Sequence, residues 1–229
     1  VIYLYGNYAG DNMNFDIAAE LAAAEDIAVE TIRIADDVVT PERRERRGIG
    51  GAFYVVKCAG TICEETASLA EAAELIRHAE ASVRSIGVAV SAGSLPQTGM
   101  PTFVLGDDEI EIGMGAHGEP GVERRKLMSA DALAEEMTRL VVADLPFRKG
   151  DEVALMLNNL GATTMMELLI VNRRVRQILA DLGIRVHRSD IGPFFTSQEM
   201  AGFSLSLMKL DANLKRWLDT PVRSPAYRQ

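Results

Sequence analysis

Cysteine is scarce: Cys58 and Cys63 are the only two among 229 residues, and no histidine or carboxylate stands at a spacing that would complete a zinc site around them. Both read as reduced thiols on one helix, which points to a cytoplasmic chain rather than a disulfide scaffold. No metal site is expected anywhere. No apolar run approaches the roughly 20 residues needed to cross a bilayer, and no charged start leads into a short apolar stretch as a secretion signal would. Positive charge is in deficit, with 24 Lys and Arg against 33 Asp and Glu and a formal charge of -9. That field works against nucleic acid or anionic lipid as a partner. An initiator methionine is also missing: the chain opens directly in Val1-Ile-Tyr-Leu-Tyr5, as a domain entered part-way would.

What is present is the material of a folded core, with 48% hydrophobic residues and a mean hydropathy near zero. Val1 to Tyr5 reads as a buried strand, and Asn14 to Glu25 as a helix capped by Asn12 or Asn14. Ile27 to Ile34 alternates as a second strand does. The charge-dense stretch from Asp36 to Gly51 is expected as an exposed loop. Two helices fill Ala52 to Arg84, with Leu69, Ala73 and Ile76 on one face. Further strands are expected at Ser85 to Val90, Glu109 to Met114, Glu152 to Leu157, Ile184 to Asp190 and Gly202 to Lys209. Helices lie between them, capped at Ser129, at Thr163 or Thr164, and at Asp211. Strands alternating with helices argue for an α/β protein with mixed sheets flanked by helices. The glycine and proline cluster from Ser91 to Pro101 suggests a junction. It divides the chain into residues 1–88, the C-terminal part of an incomplete first α/β domain, and residues 89–229, a second α/β domain.

In such sheets, ligands bind at loops following strands, and three of these loops are rich in glycine or polar residues. Gly113-Met-Gly-Ala-His-Gly-Glu-Pro-Gly121 sets one histidine among glycines, which let a ligand approach closely. An imidazole with an ordinary pKa near ~6.5 would stay largely neutral and nucleophilic there. The plain alternative is a tight turn whose histidine bonds the backbone. Gly6-Asn-Tyr-Ala-Gly-Asp11 offers Asp11 as an acid or base, or as a routine helix cap. Asn158-Asn-Leu-Gly-Ala-Thr163 suits either a phosphate site or a capped helix start. No Gly-Lys-Ser/Thr follows any of these loops, so a P-loop cradle is not expected. His78 and His187 read as structural or solvated. So do the two basic runs, Arg43 to Arg47 and Arg124 to Lys126. The second of these lies close enough to His117 in sequence to suggest docking of an acidic partner.

Taken in order, Asn7-Tyr-Ala-Gly-Asp-Asn-Met-Asn-Phe15, Glu111-Ile-Gly-Met-Gly-Ala-His-Gly-Glu-Pro-Gly121, Asn158-Asn-Leu-Gly-Ala-Thr163, Thr196-Ser-Gln-Glu-Met-Ala-Gly-Phe-Ser204 and Asp219-Thr-Pro-Val222 resemble the substrate-binding subunit of dihydroxyacetone (glycerone) kinases over nearly the entire chain. The resemblance implies a phosphotransferase component in which His117 attacks the carbonyl carbon of a small ketose and holds it as a hemiaminal. Asp11 then accepts the proton of the terminal hydroxyl. Asn7, Tyr8, Gly10 and Gly118 are the implied substrate-binding residues. It also implies a homodimer that binds no cofactor itself and takes phosphoryl from ATP or ADP with magnesium on a partner module, or from a phosphoprotein. Two features depart from the family. No glycine-rich segment ending in Gly-His-Glu-Pro is found, which suggests an incomplete sequence or an impaired site. Gly6 stands where the family has a lysine, which suggests another ketose such as erythrulose. A non-catalytic ketose sensor or co-activator is the reading from a different class.

Overall fold

The computed structural model describes residues 1–225 and 227–229. A parallel strand pair opens the chain: β1 (Ile2–Gly6) and β2 (Glu30–Ile34) are joined through helix α1 (Ala9–Ala24). Helices α2 (Ala52–Glu65) and α3 (Leu69–Ala81) follow, then β3 (Val83–Ser91), β4 (Glu109–Ile112) and β5 (Glu123–Lys126). Helix α4 (Ala130–Asp144), β6 (Glu152–Asn159), α5 (Met165–Asp181), β7 (Arg185–Gly192), β8 (Ala201–Leu210) and α6 (Ala212–Asp219) complete the fold. Six strands form one sheet in the order β5-β4-β3-β8-β6-β7. Only β6 and β7 pair in parallel there, so the sheet is mixed, as expected.

Strand β6 shows how the layers arise. Its apolar run reads Val-Ala-Leu-Met-Leu, and successive side chains point to opposite faces. Val153, Leu155 and Leu157 join a core under α4 and α5, while Ala154 and Met156 join a second core under α2, α3 and α6. All five are fully buried. The helix starts are set by single side chains: Ser68, Ser129 and Asp211 cap α3, α4 and α6, and Thr164 with Glu167 closes a capping box on α5. Among the described residues no helix is long and apolar enough to cross a membrane.

Two local expectations are corrected. Helix α1 begins at Ala9, well before Asn14, and neither Asn12 nor Asn14 caps it: the N-cap is Tyr8, without a side-chain cap bond. Asp11 therefore lies inside the first helical turn. The run Glu123-Arg-Arg-Lys126 is an edge strand paired with β4. Its basic groups are matched in place: Arg124 bonds Glu111, Arg125 bonds Glu123, and Lys126 bonds Asp108. Little unpaired positive charge is left there for docking. Strand β3 runs unbroken through Val88 and Ala89, and Ser91 to Pro101 enters the loop connecting it to its sheet neighbour β4.

Candidate functional site

The turn after β4 carries His117. Met114 and Ala116 lie beneath it with 1% and 3% exposure, whereas the His117 side chain is 66% exposed. The turn depends on glycine at two places. Gly113 has φ +84°, a conformation that costs other residues strain. At Gly115 an added Cβ would stand 2.2 Å from Oε2 of Glu119, so only glycine lets Glu119 fold back towards His117. There the His117 backbone N–H donates to Glu119 Oε2 at 3.0 Å, and the ring Nδ1 lies 2.9 Å from Oε1. An ionised carboxylate only accepts, so Nδ1 carries the proton and Nε2 of the neutral ring carries the free lone pair.

That bond has an electrostatic consequence. The hydrogen bond that the ring donates to Glu119 raises the imidazole pKa above its ordinary value; partial burial opposes the rise, and the charges of Glu119 and Asp11 add to it. The expectation of an unperturbed imidazole is thereby corrected. Burial pushes the Glu119 carboxyl up, but its bonds to the His117 ring and backbone outweigh this and hold it below the ordinary carboxylate range. Glu119 was legible as a His-x-Glu spacing, although it was not among the expected site residues.

Arg47 anchors the turn from below. Its Nε and Nη2 donate to Asp37 Oδ2 at 2.9 and 2.7 Å, Nη2 also donates to the Gly113 carbonyl at 2.7 Å, and Nη1 to the Pro120 carbonyl at 3.1 Å. Both ends of the histidine turn are thus tied to one guanidinium. Burial lifts Asp37 to about 6 against the pull of Arg47. Beside it, Asp36 is completely buried and accepts the N–H groups of Ile49 and Gly51 at 2.7 and 2.8 Å. Arg46 is 4% exposed and bridges to Asp144 at 2.5 Å. The solvated basic surface expected from Arg43 to Arg47 is therefore corrected for Arg46 and Arg47. Desolvation is tolerated because each has a carboxylate and backbone carbonyls to bond.

The opposite wall comes from the start of α1. The Tyr8 ring meets the His117 ring edge-on, with centroids 5.1 Å apart, and its hydroxyl donates to the Gly48 carbonyl at 2.9 Å. Burial, then the Glu119 charge, keeps that phenol protonated well above its ordinary range. Asn7 donates both amide protons, to the Arg44 and Arg46 carbonyls at 3.0 and 2.7 Å, and accepts from Asn12 at 2.9 Å. Its polar atoms are thus engaged in holding the entry to α1. Asp11 is exposed in the first turn of the helix, where the positive end of the helix favours an anion. Gly118, next to His117, has φ +87°, while a Cβ on Gly10 would meet nothing within 4 Å. His117, Glu119 and Tyr8 thus face one another, and the charge of Asp11 is felt at the His117 ring.

Other expected sites do not join them. The Asn158 side chain bonds Phe194, Phe195 and Ser204, Asn159 accepts from Gly161 and Thr163, and Thr164 caps α5. This loop is a capped helix start in which the Asn158 amide and the Gly161, Ala162, Thr163 and Thr164 N–H groups are already engaged. His78 meets Asp211 at 2.6 Å and His187 meets Asp219 at 2.8 Å, both as clips between elements. A cavity of 530 Å³ lies under the β3–β4 loop, lined by Gly93, Phe103 and Glu199 among others, and neither His117 nor Tyr8 borders it.

Comparison with known proteins accords with this arrangement. The Dak1 domain matches residues 1–226. The chain is 39% identical over 228 residues to the PTS-dependent dihydroxyacetone kinase 2, dihydroxyacetone-binding subunit DhaK of Listeria innocua, covering 99% of this chain and 69% of that protein. It is 38% identical over 232 residues to the D-erythrulose kinase of Mycolicibacterium smegmatis, covering 100% of this chain and 40% of that protein. Among solved structures, the dihydroxyacetone kinase operon co-activator Dha-DhaQ superposes with a TM-score of 0.90 at 28% identity, over 96% of this chain and 70% of that one. With the family match spanning almost every residue, the chain belongs to the Dak1 domain family.

Proposed function

We propose that this chain is the ketose-holding component of a dihydroxyacetone kinase, a phosphotransferase acting on an alcohol group. The observation that carries the proposal is the His117–Glu119 pair, with Nδ1 bound to the carboxylate and Nε2 free at the surface. Nε2 attacks the carbonyl carbon of a short ketose. One C–N bond forms, the carbonyl π electrons move to oxygen, which takes up a proton from solvent, and the Nδ1 proton passes to the Glu119 carboxylate, so that the substituted ring stays neutral. A flexible substrate is thus fixed through one covalent bond, and such positioning lowers the entropic part of the barrier considerably. Asp11, in the first turn of α1, whose charge is felt at the His117 ring, accepts the proton of the terminal hydroxyl as it attacks phosphorus. Tyr8 closes the wall between them. The phosphoryl group comes from a separate module carrying nucleotide and magnesium, or from a phosphoprotein, as the PTS-dependent relative suggests.

The experiment is a crystal soaked with dihydroxyacetone. Continuous density from Nε2 of His117 to the carbonyl carbon is expected; a ketose seated elsewhere, or held at full occupancy by hydrogen bonds alone, sinks the covalent reading. Gly6, together with the match to a D-erythrulose kinase, favours a soak with erythrulose alongside. A second reading, a ketose-binding co-activator, is favoured by the similarity to Dha-DhaQ. Ketose bound at His117 without turnover when a phosphoryl-donor module is supplied selects it.

A further inference from the structure

A second cavity, of 390 Å³, lies between α2, the turn after β7 and the C-terminal segment, and shares no lining residue with the His117 turn. Its walls are apolar. Phe53 and Phe194 have ring centroids 4.9 Å apart, and Tyr227 stands edge-on to Phe53 at 4.9 Å. Val56, on the same helix face and 53% exposed, borders the opening. Into this apolar surround comes one cation. Lys57 is 8% exposed, and its ammonium donates to the Thr220 carbonyl at 2.8 Å. Among the described residues it forms no ion pair. The neighbouring Arg188 does not share this state, because Asp190 neutralises it at 2.7 Å. An ammonium has three protons to donate, so capacity remains. Burial first, and then the Arg188 charge, lowers the Lys57 pKa, the behaviour of a cation short of an anionic partner.

Gly60 stands at the rim of the opening. It lines the cavity one turn beyond Lys57, is exposed, and a Cβ built there meets nothing within 4 Å. A glycine inside a helix costs stability relative to alanine, and a long side chain here would overhang the opening. An aromatic box with a single uncompensated ammonium matches a small amphiphile with an anionic head, and the volume lies within the range of small-molecule sites. We propose that this cavity binds a small carboxylic acid with an apolar tail, its carboxylate on Lys57 and its tail between Phe53, Phe194 and Tyr227.

Isothermal titration of the chain with octanoate, octanol and acetate tests the assignment. Octanoate should bind saturably, and octanol and acetate roughly 10- to 100-fold more weakly, the span that a charge-assisted hydrogen bond supplies. Lys57→Met should erase the preference for octanoate over octanol. Gly60→Leu should abolish binding of both while leaving the unfolding midpoint unchanged or raised, so that loss of binding is separable from loss of fold. Absence of saturation with octanoate, an unchanged preference in Lys57→Met, or intact affinity in Gly60→Leu each overturns the proposal.

Discussion

The two walls of the His117 site are mounted very differently. The histidine turn rests on buried Met114 and Ala116 and is tied at both ends to Arg47, itself locked to a carboxylate that is 1% exposed. The Asp11 wall stands on α1, which buries none of its residues. Its position relies on the polar bonds of Asn7 and Tyr8 at the helix entry, on Phe15 stacked against Tyr5, and on the Asp16–Arg33 ion pair. The proposed nucleophile is therefore preorganised by packing and by Arg47, and the proposed base by a few polar bonds and the stacking of Phe15. Packing transmits position over a whole turn, whereas hydrogen bonds hold only the atoms they join.

The sharpest way to break the rigid wall is Arg47→Ala. It leaves Asp37 buried without a cation and the Gly113 and Pro120 carbonyls without their donor. Removing one partner of a buried pair costs about 3–5 kcal/mol, and urea unfolding at pH 8 should register it. Asp37, lifted by burial to about 6, also fixes the sign with pH. A carboxyl raised above its unfolded value contributes stability that is present at low pH and is lost as pH rises through the folded pKa. Without Arg47 the folded Asp37 carboxyl rises further, so the deficit of Arg47→Ala should shrink as pH falls towards about 6 and level off below it, where Asp37 is neutral in both proteins. An equal deficit at both pH values contradicts the assignment of Arg47 as the counter-charge.

The loosely mounted wall is probed by Asp11→Asn, assayed in the presence of a phosphoryl-donor module. Ketose binding should stay nearly intact while phosphorylation falls about 10²- to 10⁴-fold, the usual weight of a general base. The change should lower stability by no more than about 1 kcal/mol, the weight of an exposed anion at a helix N-terminus, because α1 buries nothing at this position. Equal loss of binding and turnover assigns Asp11 to substrate positioning instead.

How far the sequence revealed these two walls follows from how local each signal is. The β6 run, the caps Ser129, Thr164 and Asp211, and the glycine-framed His117 are each written within a few neighbouring residues, and each appears in the structure where it was expected. The Arg47–Asp37 pair was not legible. Its residues sit in a charge-dense stretch whose composition matches a solvated loop, and only long-range contact with Gly113 and Pro120 buries them. Strand β5 was hidden for a related reason. An edge strand needs no apolar alternation, and Glu-Arg-Arg-Lys pairs its side chains along the rim. The start of α1 was misplaced because Asn12 and Asn14 look like caps, whereas the chain already turns helical directly after Asn7 is fixed by the Arg44 and Arg46 carbonyls.

A gentler perturbation of the rigid wall is Glu119→Gln. Only the neutral imidazole has a lone pair on Nε2, so adduct formation rises with pH through the His117 pKa. Glu119 raises that pKa; removing its charge lowers it, and the midpoint of ketose occupancy should move to lower pH. The plateau should also fall, because the ring loses the acceptor that orients it. NMR titration of the His117 ring proton reads the first effect without substrate. A midpoint that stays in place, or moves to higher pH, removes Glu119 from its role.

The smallest effect is expected where the comparison is most extreme. Met13, Ile17 and Leu21 follow one another at helical spacing along α1 and are 66%, 57% and 66% exposed. On a helix with a buried face such a stripe would be core, and its periodicity alone suggests as much. Here none of the three has surrendered its surface to the rest of the chain, so their replacement by glutamine removes no packing and opens no cavity. Each should change the unfolding free energy of this chain by no more than about 0.5 kcal/mol. Leu155→Ala in β6, where the side chain is fully buried between strands and helices, should cost about 2–5 kcal/mol in the same assay. The contrast separates an apolar pattern from apolar burial. A loss of several kcal/mol from the α1 triple substitution would place that helix face against the fold and overturn the description of a loosely mounted wall, whereas a null result leaves Asp11 positioned by the polar entry to its helix, the Phe15–Tyr5 stack and the Asp16–Arg33 pair.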